Sequence, residues 1–149
     1  MDELIKLQSD LSIIASELKA VQHRVAILAE NHGSDDSADA TILKCAKKYY
    51  RSRRAREKIF GSGNLFADPA WDILIDLFIS AKEGKEVGVS SLCIAAAVPA
   101  TTGLRWIKLL ESEGMIERTA DPVDARRFNL SLSEATYSEL EEFFQNNFL

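Results

Sequence analysis

The sequence predicts a mainly α-helical protein with a small β-hairpin wing, in which an N-terminal coiled-coil helix precedes a winged helix-turn-helix domain. Two observations predict this fold class. Apolar residues recur every three and four positions over the first 30 residues. Between Val87 and Ser133, two helical segments meet at a tight corner marked by Pro99 and are followed by two strand-like runs. Helix, turn, helix and hairpin in this order are the plan of a winged helix.

Length and composition limit the class of protein. A chain of 149 residues suits one globular domain of roughly 100 residues with an appendage, and 46 % hydrophobic content can supply its core. No apolar run reaches the roughly 18 residues of a membrane span, and the acidic start at Met1-Asp2-Glu3 is not a signal peptide. We therefore expect a cytoplasmic protein without a membrane partner. Cys45 and Cys93 lack the spacing of a metal site or a redox pair, which leaves buried packing or a thiol sensor as their roles.

The segment 1–30 is predicted to be a coiled-coil oligomerisation helix. Its seam alternates spacings of three and four over four heptads, and its residues are Leu4, Leu7, Leu11, Ile14, Leu18, Val21, Val25 and Leu28. A helix packed on its own domain can show the same spacing. The expected result of the seam is a homodimer, but its mixture of Leu, Ile and Val does not specify two strands cleanly and leaves higher oligomers open. The flanking charges do not decide between parallel and antiparallel strands.

Charge changes abruptly after this helix. The segment 31–39, NHGSDDSAD, is small, polar and acidic and is predicted to be a linker, after which Asp39 can cap a basic helix over 40–60. Residues 41–60 hold eight bases against one acid, although the whole chain has a formal charge of −5. Lys44, Lys47, Lys48, Arg51, Arg54 and Lys58 recur at helical spacings. One interpretation of these bases is a face that is simply solvated. The other is contact with phosphate, or with the acidic linker or coiled coil, which would relieve the electrostatic self-repulsion of the segment.

The segment 61–149 is predicted to be the winged helix-turn-helix domain. Gly61 to Asn64 breaks the basic helix, and Asp68-Pro69 begins a helix that runs to about Lys82 with its apolar residues on one face. Val87–Val89 suits a short strand that pairs with the wing, and Ser90 or Ser91 can cap the next helix.

The second helix of the pair and the wing follow. The helix ATTGLRWIKLLESEG begins after Pro99 and ends at Gly114, where glycine can take a left-handed conformation. Strand-like runs at Met115–Arg118 and Arg127–Leu132 flank a turn at Asp121-Pro122-Val123-Asp124. From Ser133 to Asn147 a short amphipathic helix either closes the core or adds to a dimer interface.

These residues resemble the recognition helix and wing of MarR-type winged helix-turn-helix transcriptional regulators. The family ends its recognition helix with leucine, glycine, an apolar pair and an arginine, followed by D-x-x-D-x-R and a strand ending in L-T. This sequence supplies Leu110, Gly114, Met115-Ile116, Arg118, Asp121, Asp124, Arg126 and Leu132-Ser133. The resemblance, to a subgroup of bacterial regulators, covers about Leu65 to the C-terminus. The heptads are not usual in the family, and we infer that they replace much of its dimer interface.

The resemblance implies binding to double-stranded DNA, and the residue chemistry agrees. The N-terminal residues of a recognition helix face bases in the major groove. We therefore expect bases to be contacted by Ala100, Thr101, Thr102 and Arg105, and a phosphate by Lys108. Arg126 can enter the minor groove while Asp124 holds an arginine in position or forms a salt bridge across the turn. The complete predicted DNA-binding set is Ser90, Ser91, Ala100, Thr101, Thr102, Arg105, Lys108, Arg118, Arg126, Arg127, Lys47, Lys48, Arg51 and Arg54.

Function follows as a hypothesis: a dimeric, sequence-specific DNA-binding regulator that represses transcription and is associated with the nucleoid when bound. The sequence contains no Gly-rich phosphate loop, metal-ligand cluster or nucleophile-base set, so we expect neither an enzyme nor a cofactor. It nominates no pocket for a small-molecule effector. The alternative is a winged helix that serves as a protein-interaction or scaffold module, because acids outnumber bases by 14 to 7 beyond residue 60.

Overall fold

The computed structural model describes the backbone of residues 2–61 and 65–149, and their side chains except at 2–13, 16, 20 and 23–35. A mainly helical fold with a small antiparallel sheet confirms the predicted fold class. The elements are α1 (Asp2–Phe60), α2 (Pro69–Lys82), β1 (Val87–Gly88), α3 (Val89–Ala95), α4 (Ala100–Ser112), β2 (Ile116–Ala120), β3 (Phe128–Leu132) and α5 (Glu134–Phe148).

α1 is continuous, which corrects two predictions. The polar segment 31–39 is helical instead of forming a non-helical linker, and Asp39 therefore does not begin a second helix. Gly33 and its polar neighbours are weak helix formers, but each costs at most about 1 kcal/mol, which a helix already formed on both sides can absorb. The chain divides into two compact units, Met1–Asp39 and Ala40–Leu149. We call the second unit the head.

Three residues of the predicted coiled-coil seam can be described. Ile14, Leu18 and Val21 are 59 %, 58 % and 53 % exposed, so this apolar row is open in the single chain. The side chains of the other predicted seam residues, Leu4, Leu7, Leu11, Val25 and Leu28, lie outside the described part of the structure.

The core of the head forms around α2. As predicted, Asp68 caps this helix, its Oδ1 accepting the Trp71 N–H at 3.4 Å, and Pro69 occupies the first turn. The inner face of α2 is buried, at Ile73, Leu74, Ile75, Leu77 and Phe78. α5 covers this face: its buried Phe144 stacks on Phe78 with ring centroids 5.5 Å apart and an interplanar angle of 16°. The C-terminal helix therefore closes the core, one of its two predicted roles.

α3 and α4 form the helix-turn-helix. The two axes meet at 106°, inside the range of about 90–120° that is typical of this motif. α3 ends at Ala95, before the corner predicted at Pro99, because Ala97 takes a left-handed φ of 51° and turns the chain. The N-cap of α3 is Gly88, so the predicted capping role of Ser90 or Ser91 is wrong; both serines lie in the first turn.

The sheet has the strand order β1-β3-β2 and is antiparallel throughout. Val87 pairs with Leu130, which confirms the predicted short strand beside the wing. In the wing itself, Ile116 pairs with Leu132 and Ala120 with Phe128. The strands start one residue later than predicted, and β2 extends two residues further, because the hydrogen-bonded ladder continues past the apolar residues. Gly114, with φ of +70°, ends the turn after α4 as predicted.

The part of α1 within the head is held to α2 by charged side chains. Asp72, 0 % exposed, receives the Arg53 Nε at 2.6 Å and also binds the Arg54 guanidinium. Lys47 forms an ion pair with Glu83 at the other end of α2. The ion pairs therefore join the basic segment to both ends of the central helix.

No single helix within the described ranges is both long enough and apolar enough to cross a membrane; α3 and α4, taken as one bent pair, meet that length and composition test together.

Candidate nucleic-acid interface

The exposed face of α4 carries the predicted reading residues. Thr101, Arg105 and Lys108 are all exposed and recur at spacings of four and three, so they share one side of the helix. The opposite side is buried, at Gly103, Ile107 and Leu110. Packing of that side fixes the rotation of α4 about its axis and therefore determines which residues face outward.

Arg105 also borders a small cleft. The cleft is lined by Thr102, Arg105, Trp106 and Leu109. Trp106 is half-buried against the core, and Thr102 is half-buried beside it. The two threonines therefore differ: Thr101 is open to solvent, as is the neighbouring Ala100, whereas Thr102 forms part of a wall.

Leu104 lies beside the reading face and was missed from the sequence. It is 39 % exposed, three residues after Thr101 and next to Arg105. The signal for its exposure was its place along the helix. Leu104 lies four residues before Lys108 and so shares that side of α4, whereas Gly103, Ile107 and Leu110 follow a different spacing. An exposed aliphatic side chain at this point can contact a thymine methyl group.

The turn of the wing is built by two aspartates. Asp121 Oδ1 accepts the backbone N–H of Val123 at 2.7 Å and of Asp124 at 3.1 Å, and these two bonds lower the pKa of its carboxyl group. Asp124 Oδ1 accepts the Arg126 N–H at 3.1 Å, while its Oδ2 lies 3.8 Å from the Arg127 Nε. Asp124 thus shapes the backbone at Arg126 and lies close to the side chain of Arg127.

The wing arginines and the serines of α3 line one concave surface. Its cavity of about 600 Å³ is bordered by Ser90, Ser91, Arg126 and Arg127, four predicted site residues that are distant in sequence. All four are exposed. Glu86 and Asp121 also line this surface, so the positive charge of the arginines is partly offset there.

Arg118, predicted to contact DNA, is engaged within the head. Its Nε lies 2.6 Å from Glu111 Oε1 and its Nη2 lies 3.0 Å from Oε2, which makes a bidentate pair. The guanidinium carbon also lies 5.4 Å from the centroid of the Phe128 ring. Its charge is therefore largely compensated.

The basic segment contains two kinds of cation. Lys47 pairs with Glu83 just after α2, and Arg54 pairs with Asp72 of α2. Because these carboxylates already relieve the self-repulsion of the two cations, that self-repulsion no longer favours phosphate contact by Lys47 and Arg54. Lys48 and Arg51 are exposed, and together with Lys44 they border a shallow depression on α1. These three cations of the described segment are open to an external anion.

Arg53 and Asp72 were not singled out from the sequence. Asp72 carries a carboxylate on the apolar side of α2, three residues before the buried Ile75, and this polar interruption of a core pattern was the available signal. Its partner on a different helix could not be deduced from spacing along the chain.

Comparisons with known proteins add sequence identity to this geometry. No protein-family model matches the chain, and no curated protein matches it. A probable transcriptional regulator from Pseudomonas aeruginosa is 30 % identical, with 70 % of this chain and 74 % of that chain covered and a TM-score of 0.44. A MepR–DNA complex from S. aureus is 20 % identical, with 67 % and 76 % covered and a TM-score of 0.45.

A third similar structure is a point mutant of MepR from a multidrug-resistant S. aureus clinical isolate. It is 23 % identical, with a TM-score of 0.45 and 54 % of this chain covered. The match spans 56 % of that chain, little more than half its length. The winged-helix fold follows from the chain's own elements.

The motif residues occupy the places that the family pattern requires. Gly114 ends the turn after α4, Ile116 begins β2, Asp121 and Asp124 shape the turn of the wing, and Leu132 ends β3. This motif, set in a winged helix, is that of the MarR-type winged helix-turn-helix regulators, which confirms the resemblance predicted from the sequence.

Proposed function

We propose that this protein is a dimeric transcriptional repressor that binds a specific site in double-stranded DNA. The observation that carries the proposal is the exposed face of α4, where Thr101, Arg105 and Lys108 project from a helix whose other side is locked in the core. A helix that is fixed in this way can enter the major groove with its first turns against the bases.

The exposed residues of α4 have two proposed roles, contact with bases and contact with a phosphate. Arg105 can donate two hydrogen bonds to the O6 and N7 atoms of guanine, and Thr101 can offer a hydroxyl or a methyl group. Ala100 and Thr102 border them, and Lys108 lies one turn further along, where the helix meets the backbone of the duplex.

Contacts outside α4 supply affinity. Ser90, Ser91, Arg126 and Arg127 border one concave surface, which suits a phosphodiester strand with an arginine in the adjacent minor groove. Lys48 and Arg51 add an exposed basic row on α1. Replacing either Lys48 or Arg51 with alanine should weaken all duplexes alike and reduce the salt slope of binding by about 1.

Dimerisation places two such heads on a pseudo-palindromic site. The exposed row of Ile14, Leu18 and Val21 supports pairing through the N-terminal helix, because three apolar residues on one side of a helix gain from removal from water. Two half-sites bound together raise affinity far above that of one head.

The test uses the chain of 149 residues and a pool of random duplexes. A duplex enriched at low salt is then used to measure affinity against non-specific DNA over a range of salt concentrations. Arg105→Ala should lose roughly 1–3 kcal/mol and relax specificity at one base pair. Lys85→Ala, a matched loss of charge at a side chain 67 % exposed in the turn before β1, should leave specificity unchanged.

Two outcomes would contradict the proposal. If no duplex is enriched at low salt, or if Arg105→Ala binds the enriched duplex like the unchanged protein, the DNA-reading function is wrong. The acids beyond residue 60, 14 against 7 bases, would then favour the protein-interaction module. The sign of regulation has its own test: placing the enriched site over a promoter should lower reporter expression, and a rise would make the protein an activator.

A further inference from the structure

Arg118 and Glu111 connect the wing to the recognition helix outside the buried core. Glu111 lies near the end of α4, and Arg118 is the middle residue of β2. Their two hydrogen bonds, of 2.6 and 3.0 Å, use both carboxylate oxygens. A bidentate pair of this kind restrains direction as well as distance.

Apart from this pair, β2 is held by its ladder with β3 and by the burial of Ile116 at its root. Within the described ranges it is an edge strand, paired only to β3. Ile116 at its root is buried, whereas the following residues, Glu117 to Ala120, are exposed. The outer part of the hairpin can therefore tilt about its root unless a contact outside the core restrains it.

The surroundings of Arg118 oppose a role as a phosphate contact. Two of its three guanidinium nitrogens bind Glu111, and the guanidinium carbon lies 5.4 Å from the centroid of the Phe128 ring. The bond to Arg118 lowers the pKa of the Glu111 carboxyl group, which therefore stays charged at neutral pH. A phosphate would have to compete with this carboxylate for the same donors.

We propose that the Arg118–Glu111 pair is a positioning clamp that sets the angle between the wing and α4. With the angle fixed, Arg126 in the wing and Arg105 on α4 reach one duplex at the same time without a further loss of conformational entropy on binding. The role of the clamp in recognition rests on the proposed DNA-binding function. Arg118 is thus a positioning residue, in place of the direct contact predicted from the sequence.

The experiment compares Arg118→Gln, Glu111→Gln and the double variant in the chain of 149 residues, using the duplex enriched from the random pool. For the clamp, each single change should weaken binding to a similar extent, about 3- to 10-fold, and the double variant should be no weaker than either. The slope of log affinity against log salt should stay unchanged. Affinities are compared at equal concentrations of folded protein, so that a loss of stability alone does not move them.

A direct phosphate contact gives a different pattern. Arg118→Gln would then weaken binding and lower the salt slope by about 1, whereas Glu111→Gln would strengthen binding because an acid near DNA is removed. That combination would overturn the clamp. Arg126→Gln serves as the matched control, since it should lower the slope without any dependence on Glu111.

A second readout does not need DNA. Residual dipolar couplings of backbone amides report how β2 and β3 are oriented relative to α4. Arg118→Gln and Glu111→Gln should broaden this orientation equally, and exchanging the two residues, Glu111→Arg with Arg118→Glu, should restore it. If the wing orientation is unchanged in both single variants, the clamp proposal is wrong even if the protein binds DNA. If the dipolar couplings change in the variants but no duplex binds, the clamp exists and the proposed DNA-binding function is wrong.

Discussion

Gly103 marks the closest approach between the two helices of the turn. A Cβ atom built on it would lie 3.3 Å from both the Cα and the Sγ of Cys93, and 3.4 Å from its Cβ. One of these atoms belongs to the backbone of α3, so it cannot move aside as the end of a side chain can. The glycine therefore serves packing between α3 and α4, and it lies on the side of α4 opposite Thr101, Arg105 and Lys108.

We expect Gly103→Ala to lower the free energy of unfolding by about 1–3 kcal/mol, because overpacking outweighs the higher helix propensity of alanine. Urea denaturation measures this change. Ser112→Ala, an exposed substitution on the same helix, should stay within about 0.5 kcal/mol of the unchanged protein. A stabilised Gly103→Ala protein would mean that α3 moves away from α4 at little cost.

At the scale of an element, burial makes the two neighbouring carboxylates of α2 unequal. Asp72 is fully buried between Arg53 and Arg54, whereas Asp76 is half-buried and has its pKa raised, first by burial and then by the charge of Glu83. The charge of Asp72 compensates two guanidinium groups. For Asp76, burial and the nearby charge of Glu83 make the charged form of the carboxyl group unfavourable.

Asp72→Ala should therefore be strongly destabilising, by roughly 3–5 kcal/mol, because it removes the buried carboxylate that two guanidinium groups share. Among the described carboxylates, Arg53 would keep only a contact of 3.9 Å with the exposed Asp68, and Arg54 only its ion pair with Glu57. Asp76→Ala is the matched control one turn further along the helix, and we expect it to be neutral or stabilising. Chemical denaturation of the two variants gives the comparison. Equal losses would show that the Arg53 and Arg54 contacts contribute little beyond packing.

The turn of the wing should depend on pH through Asp121. Two backbone N–H bonds lower the pKa of this carboxyl group below its ordinary value of 3.8. Because the folded pKa is lowered, the charged carboxylate stabilises the turn above pH 3.8, and this contribution is lost as the pH falls from there through the folded pKa. The amide signals of Val123 and Asp124 should shift with a midpoint below 3.8 in an NMR titration. In Asp121→Asn this transition should be absent; a midpoint at or above 3.8 would contradict the hydrogen-bonded turn.

Elements with local signals were predictable, and contacts between distant elements were not. Asp68-Pro69 and Gly114 mark their helix ends through backbone chemistry within a few residues. Segment 31–39 has the composition of a linker, yet its backbone is helical because propensity is a weak determinant beside helical neighbours. Arg54 and Arg118 were placed among DNA contacts because spacing along a helix or strand does not reveal a carboxylate on another element.

For the whole molecule, the placement of charge matters more than its sum. The eight bases of residues 41–60 include Lys47, Arg53 and Arg54, which are paired with carboxylates of α2 and of the turn that follows it. The exposed cations that remain on α1, including Lys48 and Arg51, are fewer than the sequence suggests. One head therefore offers modest electrostatic affinity, and we infer that firm binding needs two heads on one duplex.

Assembly through the N-terminal helix is testable at the exposed row. Ile14→Glu combined with Val21→Glu places two charges where apolar side chains, 59 % and 53 % exposed in the single chain, would meet their counterparts in a coiled coil. Light scattering should report the mass of a monomer for this variant, and its affinity for the enriched duplex should fall by about 100-fold or more as the second head is lost. Lys19→Glu, an exposed change outside the seam of the same helix, should leave the mass unchanged. If the double variant keeps the mass of the unchanged protein, assembly does not use this row. If the variant becomes monomeric but binds DNA equally well, a single head is sufficient for binding. The modest electrostatic affinity inferred for one head would then be wrong.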